Sequence, residues 1–282
     1  MNLPIDTTLP FFAYGIFKPG QLCHSRIQDH VEKFIPAWVS GMLMERDGIP
    51  LLVLCNDDSN VKGFVIHFKL GEERDAYKKI IGIEPDEVYY WGKVRIDDSI
   101  ANVLLGKKVG RGSSYIEHIN EWDGRNDPFF KQGLEEVESI LQANQEFDWD
   151  FRALLRLQMA YALLWTALER YAGLKYHLGK EVNRKVYQIA DEICFSNALR
   201  KHVTQPRELF SSTDLTRFKL DPNDPLKSIK YYYQVRCNSI HRGKAVIRDF
   251  DTMKSSLAEL LAIFKEILAE SFPSTIEVVL QF

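Results

Sequence analysis

The N-terminal part of the chain alternates short apolar runs with turn-forming residues. The runs are rich in β-branched and aromatic side chains and are bounded by Gly, Pro, Asp or Asn, so they predict strands. They cover residues 10–15, 37–44, 51–55, 61–70 and 88–96. Residues 72–80 predict one short helix, because acidic side chains stand at its start and lysines at its end. This pattern indicates a strand-dominated α+β domain.

From about residue 127 onward the apolar positions recur at helical spacing. The pattern predicts helices at about residues 129–141, 148–171, 182–193, 197–202, 226–241 and 251–271. Gly173 marks the end of the long second helix, and Asp251 caps the start of the last one. Residues 211–225 predict a loop, and residues 275–280 have a strand-like composition with no predicted partner. Stacked amphipathic helices without intervening strands indicate an all-α bundle.

The whole chain therefore predicts an α+β fold in two domains. Its 282 residues, 45% of them hydrophobic, exceed the size of most single domains. The strand-rich domain is expected at residues 1–110, a linker that contains one helix at 111–146, and the helical domain at 147–282.

Charge is distributed unevenly along the chain. Residues 1–146 contain 16 Lys and Arg against 23 Asp and Glu, a net charge of −7. Residues 147–282 contain 20 against 16, a net charge of +4. The basic half is the better candidate for a polyanionic partner, although an excess of four charges is small for a dedicated nucleic-acid binder.

The composition argues against several classes of protein. The four cysteines lie far apart and form no Cys-x-x-Cys pair, which argues against a disulfide framework and against a zinc site. No stretch approaches the roughly 20 apolar residues of a membrane span, and residues 1–10 lack the layout of a signal peptide. We expect a soluble cytoplasmic protein with no metal, no cofactor and no membrane contact.

The helix predicted at residues 226–241 contains a candidate catalytic set. Arg236 and His241 lie about 140° apart around a helix and roughly 7.5 Å apart along it, so both side chains can reach one ligand. RNA cleavage by a ribose 2′-hydroxyl needs a base of near-neutral pKa, which imidazole supplies, and a donor for the phosphate, which guanidinium supplies. Asn238 can orient the phosphate or the ring, and no metal is required. The same spacing also arises where Arg and His simply satisfy carbonyls at a helix end.

Residues 231–244 resemble the signature helix of the HEPN superfamily, in which Arg, a polar residue and His are spaced in this way. The resemblance extends over about residues 147–272, although its specific part is this block alone. It implies a helical domain that dimerises and cleaves or binds RNA without metal. It also implies that His241 is the base or acid, Arg236 the phosphate stabiliser and Asn238 the orienting residue.

Two further features of the same segment bear on this resemblance. Arg242, Lys244 and Arg248 are candidate phosphate contacts, or else belong to an ordinary basic turn. The position after the Arg, often polar in the family, is Cys237 here, which leaves Asn238 as the substitute.

Residues 12–20 read Phe-Ala-Tyr-Gly-Ile-Phe-Lys-Pro-Gly and predict a strand that enters a Gly/Pro turn. Such a turn exposes backbone N–H groups to an anionic ligand, although a plain hairpin has the same pattern. The block resembles the first strand and loop of the γ-glutamylcyclotransferase-like fold, and the resemblance spans about residues 9–108. It implies a pocket-bearing fold that senses a small metabolite or mediates protein contacts, and the exposed N–H groups make a small anionic metabolite the candidate ligand. Its candidate residues are Tyr14, Gly15, Ile16, Phe17, Lys18, Glu84 and Tyr90.

Enzymes of that fold use a carboxylate, placed just before a Gly, to move protons while a glutamyl amine attacks its own side-chain carbonyl. The matching pair in this chain is Ile81-Gly82, and isoleucine is neither an acid nor a base. Glu84 follows two residues later. Its simpler interpretation is an exposed loop carboxylate, and the alternative is that it reaches the pocket. Ile16 also replaces the Ser or Thr that is common in the loop, so we expect a pocket without the family's chemistry.

Three functional hypotheses remain. The first and favoured one is a metal-independent endoribonuclease or RNA-binding protein of the HEPN type, in defence or RNA processing, with an N-terminal ligand-binding or regulatory domain. The second is a γ-glutamylcyclotransferase-like enzyme that acts on γ-glutamyl amines through Glu84. The third is a non-catalytic interaction module. We expect a homodimer formed through the helical domain.

Overall fold

The computed structural model describes residues 1–46, 48–55, 59–84, 86–107, 114–115, 120–143, 150–176, 182–240 and 247–273. Of residues 46, 114–115, 182–184, 240 and 247–249 it describes the backbone alone. The chain divides into two compact units. The first comprises Met1–Arg125, Leu174–Gly179 and Ser271–Phe282, and the second comprises Asn126–Gly173 and Lys180–Glu270. The boundary after Arg125 lies inside the segment predicted as a linker, whose helix belongs to the second unit.

The first unit is built on strands. They are β1 (Phe11–Ala13), β2 (Val31–Ser40), β3 (Met42–Arg46), β4 (Ile49–Val53), β5 (Asn60–Phe68), β6 (Tyr89–Ile96), β7 (Ser99–Gly106) and β8 (Ser114–Tyr115). One helix, α1 (Glu73–Ile83), lies between β5 and β6, and His24–Arg26, Gln28–His30 and Gly124–Asn126 form short 3-10 turns.

A five-stranded sheet forms the body of this unit, in the order β2-β5-β1-β7-β6. All of its pairs are antiparallel except β1 with β7, which run parallel. The two outermost strands, β2 and β6, also contact each other, so the sheet curls toward a closed barrel. A smaller sheet has the order β4-β3-β8.

The strand β7 was not predicted from the sequence. Residues 101–105 are buried at every position, which removes the alternation of polar and apolar residues that identifies a strand with one exposed face. Its Asn102 is also buried and donates to the hydroxyl of Tyr77 at 2.9 Å. Tyr77 in turn packs edge-to-face against Phe11, Phe68 and Trp91, which places α1 against the sheet.

The second unit is mainly helical. Its elements are α2 (Gln132–Ala143), α3 (Phe151–Tyr176, of which the last residues belong to the first unit), α4 (Val182–Gln188), α5 (Ile193–His202), β9 (Arg207–Phe210), β10 (Arg217–Leu220), α6 (Pro225–Ile240) and α7 (Ile247–Ser271). A 3-10 turn, Ile189–Asp191, separates α4 from α5. The described chain as a whole is therefore of mixed α and β structure.

Four sequence predictions for this unit need correction. The prediction of an all-α bundle is wrong, because β9 and β10 pair as an antiparallel hairpin in a segment whose second strand was predicted as loop. α3 continues past Gly173, and α7 begins before Asp251, which therefore does not cap it. The helix predicted at 182–193 ends at Gln188.

Aromatic side chains fill the core of the second unit. Tyr161 on α3 donates to the backbone oxygen of Tyr232 on α6 at 3.0 Å, and the Tyr232 hydroxyl contacts Glu259 on α7 at 3.2 Å. Further along α3, the ring of Tyr171 lies 5.7 Å from that of Phe264 on α7. The three longest helices of this unit are thus joined by buried tyrosines that keep their hydroxyls hydrogen-bonded. In the described parts of the chain, no helix combines the length and apolar character needed to cross a membrane.

Candidate functional site

A pocket opens in the first unit where β1 ends and the chain turns. It is lined by residues from β1, the following turn, the C-terminal end of α1, β6 and β7, namely Phe11, Ala13, Tyr14, Gly15, Ile16, Phe17, Glu84, Tyr89 and Leu104. Its volume is about 240 Å³ when the open mouth is included. Part of this volume is open to solvent, so the enclosed space admits only a small chemical group.

The turn after β1 is held by its own backbone. The N–H of Lys18 donates to the carbonyl of Gly15 at 3.0 Å, and the N–H of Cys23 donates to the carbonyl of Ile16 at 2.9 Å. The backbone N–H groups of Gly15, Ile16 and Phe17 donate to no acceptor in the described residues. Successive N–H groups without an acceptor can bind an oxygen atom where they face a pocket.

Gly15 is required in this turn by close packing. A Cβ atom at this position would lie 2.9 Å from Cγ of Pro50, closer than such atoms approach in real structures. The turn can therefore pass this close to β4 only because residue 15 has no side chain.

The position of Glu84 at the pocket follows from the length of α1. The helix continues to Ile83, one turn beyond the predicted end at residue 80. Glu84 follows as the C-cap in extended conformation, with φ −82° and ψ 127°, and its N–H donates to the carbonyl of Ile80. The next residue in the sequence is Pro85, which disfavours helical geometry at the residue before it. The helix therefore ends at the residue whose side chain enters the pocket.

The side chain of Glu84 is largely buried at the wall of the pocket. The residue is only 7% exposed, so its interpretation as an exposed loop carboxylate is wrong. No described residue forms a hydrogen bond with its side chain. The hydroxyls of two lining tyrosines are engaged elsewhere, because Tyr14 donates to the carbonyl of Leu104 at 2.7 Å and Tyr89 donates to that of Pro50 at 2.6 Å.

Burial controls the protonation of this group. It raises the pKa of Glu84 from 4.5 to about 8, since nothing compensates for the lost hydration of the carboxylate. Burial also raises the pKa of Tyr14 and of Tyr89, and the nearby charge of Glu84 adds to both effects. The raised pKa favours the protonated carboxyl group at neutral pH, and no described residue forms a hydrogen bond with it.

Five of the seven predicted pocket residues line this pocket, and two do not. Tyr90 is 45% exposed and lies on the outer face of β6, because successive residues of a strand point to opposite faces; the inward residue is Tyr89. Four residues that line the pocket were not predicted, because their ordinary core character carries no functional signal: Phe11, Ala13, Tyr89 and Leu104.

Lys18 is the second predicted pocket residue that lies elsewhere. Its ammonium group is buried and donates to Glu121 at 3.0 Å and to the carbonyl of Trp122 at 2.5 Å. Burial lowers the pKa of Lys18, and the hydrogen bond with Glu121 opposes that effect. Glu121 also accepts from Lys62 at 2.8 Å. Lys18 therefore anchors the segment of Glu121 and Trp122, and it is not among the residues that line the pocket.

The second candidate site, at the C-terminal end of α6, is described only in part. His241, Arg242 and Lys244 lie outside the described residues, and Arg248 lies in α7 with its side chain outside them. The geometric prediction that Arg236 and His241 converge therefore stays a prediction. In the described ranges, no group of three or more His, Cys, Asp or Glu side chains is placed to hold a metal ion.

Arg236 is loosely held at the surface of the second unit. Its side chain is 23% exposed, and Nη2 lies 3.9 Å from Oε1 of Glu169 on α3. The guanidinium carbon lies 5.9 Å from the ring centre of Tyr233, one turn earlier on α6. Tyr233 contacts the ring of Tyr187 edge-to-face, and Lys230 lies over Tyr187 at 5.8 Å. Two cations and two tyrosine rings thus share one part of the α4–α6 surface.

Asn238 makes its hydrogen bonds within the protein. Its Oδ1 accepts from the N–H of Ser212 at 3.1 Å and from Nε2 of Gln234 at 2.8 Å, and its Nδ2 donates to the carbonyl of Phe210 at 2.9 Å. These bonds attach the tip of the β9–β10 hairpin to α6. An orienting role toward phosphate would require some of them to break.

Comparison with known proteins adds little to this geometry. No protein-family model matches the chain, and no curated protein matches it. A solved structure of an uncharacterized protein from Pyrococcus horikoshii matches with a TM-score of 0.32 and 19% sequence identity, over 38% of this chain and 85% of that one. A similarity at this TM-score supports no conclusion about fold or function.

Proposed function

We propose that the first unit contains a small-molecule acid–base site in which Glu84 transfers protons, as in γ-glutamylcyclotransferase-like enzymes. The observation that supports this is a buried carboxyl group, without a partner, at the wall of a pocket. Structural carboxylates are normally hydrogen-bonded or ion-paired when they are buried. An isolated one beside a pocket, with a pKa near neutrality, has the properties of a general acid or base.

The reaction is an intramolecular aminolysis. The free α-amine of a γ-glutamyl amine attacks the γ-carbonyl carbon, the bond from that carbon to the leaving nitrogen breaks, and the products are 5-oxoproline and the released amine. A protonated carboxyl group can serve both transfers, because its O–H donates to the leaving nitrogen while its carbonyl oxygen accepts the proton of the attacking amine. The free N–H groups of residues 15–17 are available to the oxygen that gains negative charge.

The test is release of 5-oxoproline from γ-glutamyl amines by the purified protein. We expect the Glu84→Gln variant to lose this activity, because an amide cannot exchange protons in this way. Glu32→Gln, which changes an exposed carboxylate on β2 of the same unit, is the matched control and should stay active. Absence of product with the unmodified protein, or equal rates with Glu84→Gln, would refute the proposal.

A second function, metal-independent cleavage or binding of RNA by the helical unit, is favoured by the surface around Arg236. Its guanidinium is partly exposed, and its ion pair with Glu169 is long, so it retains donors for a phosphate. The adjacent tyrosines and Lys230 suit unstacked bases and a phosphate backbone. In this function His241 would act as the base or acid, and a dimer would bring two copies of the site together.

Incubation of mixed RNA with the protein in the presence of a chelator tests this second function. Arg236→Ala and His241→Ala should reduce cleavage or binding, whereas Arg156→Ala, which removes an exposed cation of α3, should have little effect. If all of these proteins behave alike, the RNA hypothesis is wrong.

A further inference from the structure

A buried histidine that does not line the pocket contacts the turn after β1. His24 follows the turn in a short 3-10 segment and is only 3% exposed. Its Nδ1 lies 3.0 Å from the carbonyl oxygen of Phe17, and its ring packs edge-to-face against that of Phe34 at 6.0 Å. A carbonyl oxygen only accepts hydrogen bonds, so Nδ1 carries the hydrogen and donates it. Burial lowers the pKa of His24, which keeps the ring neutral near pH 7.

The other ring nitrogen of His24 makes no hydrogen bond with the described residues. Nε2 is buried there without a partner, so the bond to Phe17 is the one hydrogen bond that the described structure gives this ring. A buried nitrogen without a partner costs free energy. An apolar side chain would avoid this cost, so packing does not by itself account for a histidine at this position.

The bond from His24 to Phe17 fixes the direction of the peptide groups in the turn. The C=O and the N–H of one trans peptide unit point in opposite directions. Because the carbonyl of Phe17 points to His24, the N–H of Lys18 points away from it, and this N–H donates to the carbonyl of Gly15 at 3.0 Å. The carbonyl of Gly15 in turn directs the N–H of Ile16 to the opposite side. This N–H has no acceptor in the described residues, and its direction depends on His24 through two hydrogen bonds.

We propose that His24 is a positioning residue of the candidate acid–base site and sets the direction of the Ile16 N–H through the carbonyl of Phe17. Residues 15–17 line the pocket and His24 does not, so it acts on a ligand only through the turn. The proposal rests on the proposed function of Glu84. It adds the residue that holds a hydrogen-bond donor for the oxygen that gains negative charge in that reaction.

Two substitutions that introduce the same functional group test the proposal. In His24→Asn the side-chain nitrogen lies two bonds from Cβ, as Nδ1 does in histidine, so the bond to Phe17 is kept. In His24→Gln the nitrogen lies one bond farther, at the position of Nε2, so the bond is lost. Glutamine is closer to histidine in volume, and a role in packing alone would therefore make His24→Gln the better tolerated change. Ser25→Ala, which alters the next and exposed side chain, is the control.

The first measurement is hydrogen exchange at the amide of Lys18, relative to the amides of β5, so that a general loss of stability is not counted as a local effect. We expect exchange in His24→Asn and Ser25→Ala to stay within about twofold of the unmodified protein. In His24→Gln it should be at least about fivefold faster, because one hydrogen bond is worth about that factor. Equal exchange in the two His24 variants, or faster exchange in His24→Asn, would overturn the proposal.

The second measurement is the rate of 5-oxoproline release from γ-glutamyl amines. A misdirected Ile16 N–H affects the transition state more than the bound substrate, so kcat should fall at least about tenfold in His24→Gln with little change in KM. His24→Asn should stay close to the unmodified protein. Equal rates in the two variants would overturn the positioning role and leave the cyclotransferase function standing. If none of the proteins releases 5-oxoproline while exchange at Lys18 follows the expected order, the cyclotransferase function is removed and His24 still positions the turn.

Discussion

The buried carboxyl of Glu84 predicts a specific dependence of stability on pH. In the unfolded chain this group ionises near its ordinary pKa of 4.5, whereas in the folded protein it ionises near 8. The folded state therefore binds the proton more tightly, and stability falls as pH rises between these two values. Below about 4.5 both states are protonated and the term vanishes. Above about 8 it reaches its full size of about 5 kcal/mol, at about 1.4 kcal/mol per pH unit.

The measurement compares the free energy of unfolding of the unmodified protein and the Glu84→Gln variant, by urea denaturation, at about pH 5.5 and about pH 8.5. The contribution of the other titrating groups to the unfolding free energy is the same in both proteins and cancels in their difference. We expect the unmodified protein to lose about 3 kcal/mol relative to the variant over this interval, because the variant has no proton to release at this position.

The control is Glu136→Gln, which changes an exposed carboxylate on α2, and the unfolding free energy of this variant should change between the two pH values as that of the unmodified protein does. A direct titration of the Glu84 carboxyl carbon by NMR should give a midpoint near 8 in the unmodified protein. If the Glu84→Gln difference is also flat, or the midpoint lies near 4.5, the carboxyl is hydrated or paired in solution and the acid–base argument fails.

Three further substitutions test parts of the structure. Asn238→Ala removes three hydrogen bonds and should destabilise the second unit by about 1 to 3 kcal/mol, with faster hydrogen exchange at the amide of Ser212. Unchanged exchange there would contradict the attachment of the β9–β10 hairpin to α6 by Asn238. Gly15→Ala forces a Cβ against Pro50 and should cost about 1 to 3 kcal/mol, measured as a lower urea midpoint; an unchanged midpoint would contradict the close packing of this turn. Gly82→Ala, by contrast, meets no atom within 4 Å in a helix and should stabilise by about 1 kcal/mol, measured as a higher urea midpoint; a loss of stability would count against the position of α1.

Local patterns in the sequence identified much of the framework. The apolar runs predicted β4, β5 and β6 closely, and helical spacing predicted α3 and α6 to within a few residues. The turn after β1 was also identified as a pocket element, because Gly and Pro in this order dictate a chain reversal whatever surrounds it. These features depend on neighbours along the chain, which the sequence displays directly.

The decisive features of the site depend on contacts that the sequence does not display. The residues around Glu84 have the composition of a surface loop, yet its side chain is buried at the end of a helix that is one turn longer than predicted. The two tyrosine hydroxyls that could have stabilised its charge are directed elsewhere by β4 and β7, the latter a strand that its uniform burial concealed. Whether a carboxyl group is an exposed charge or a buried acid is set by the solvent and partners around it, and these are fixed only when distant segments pack.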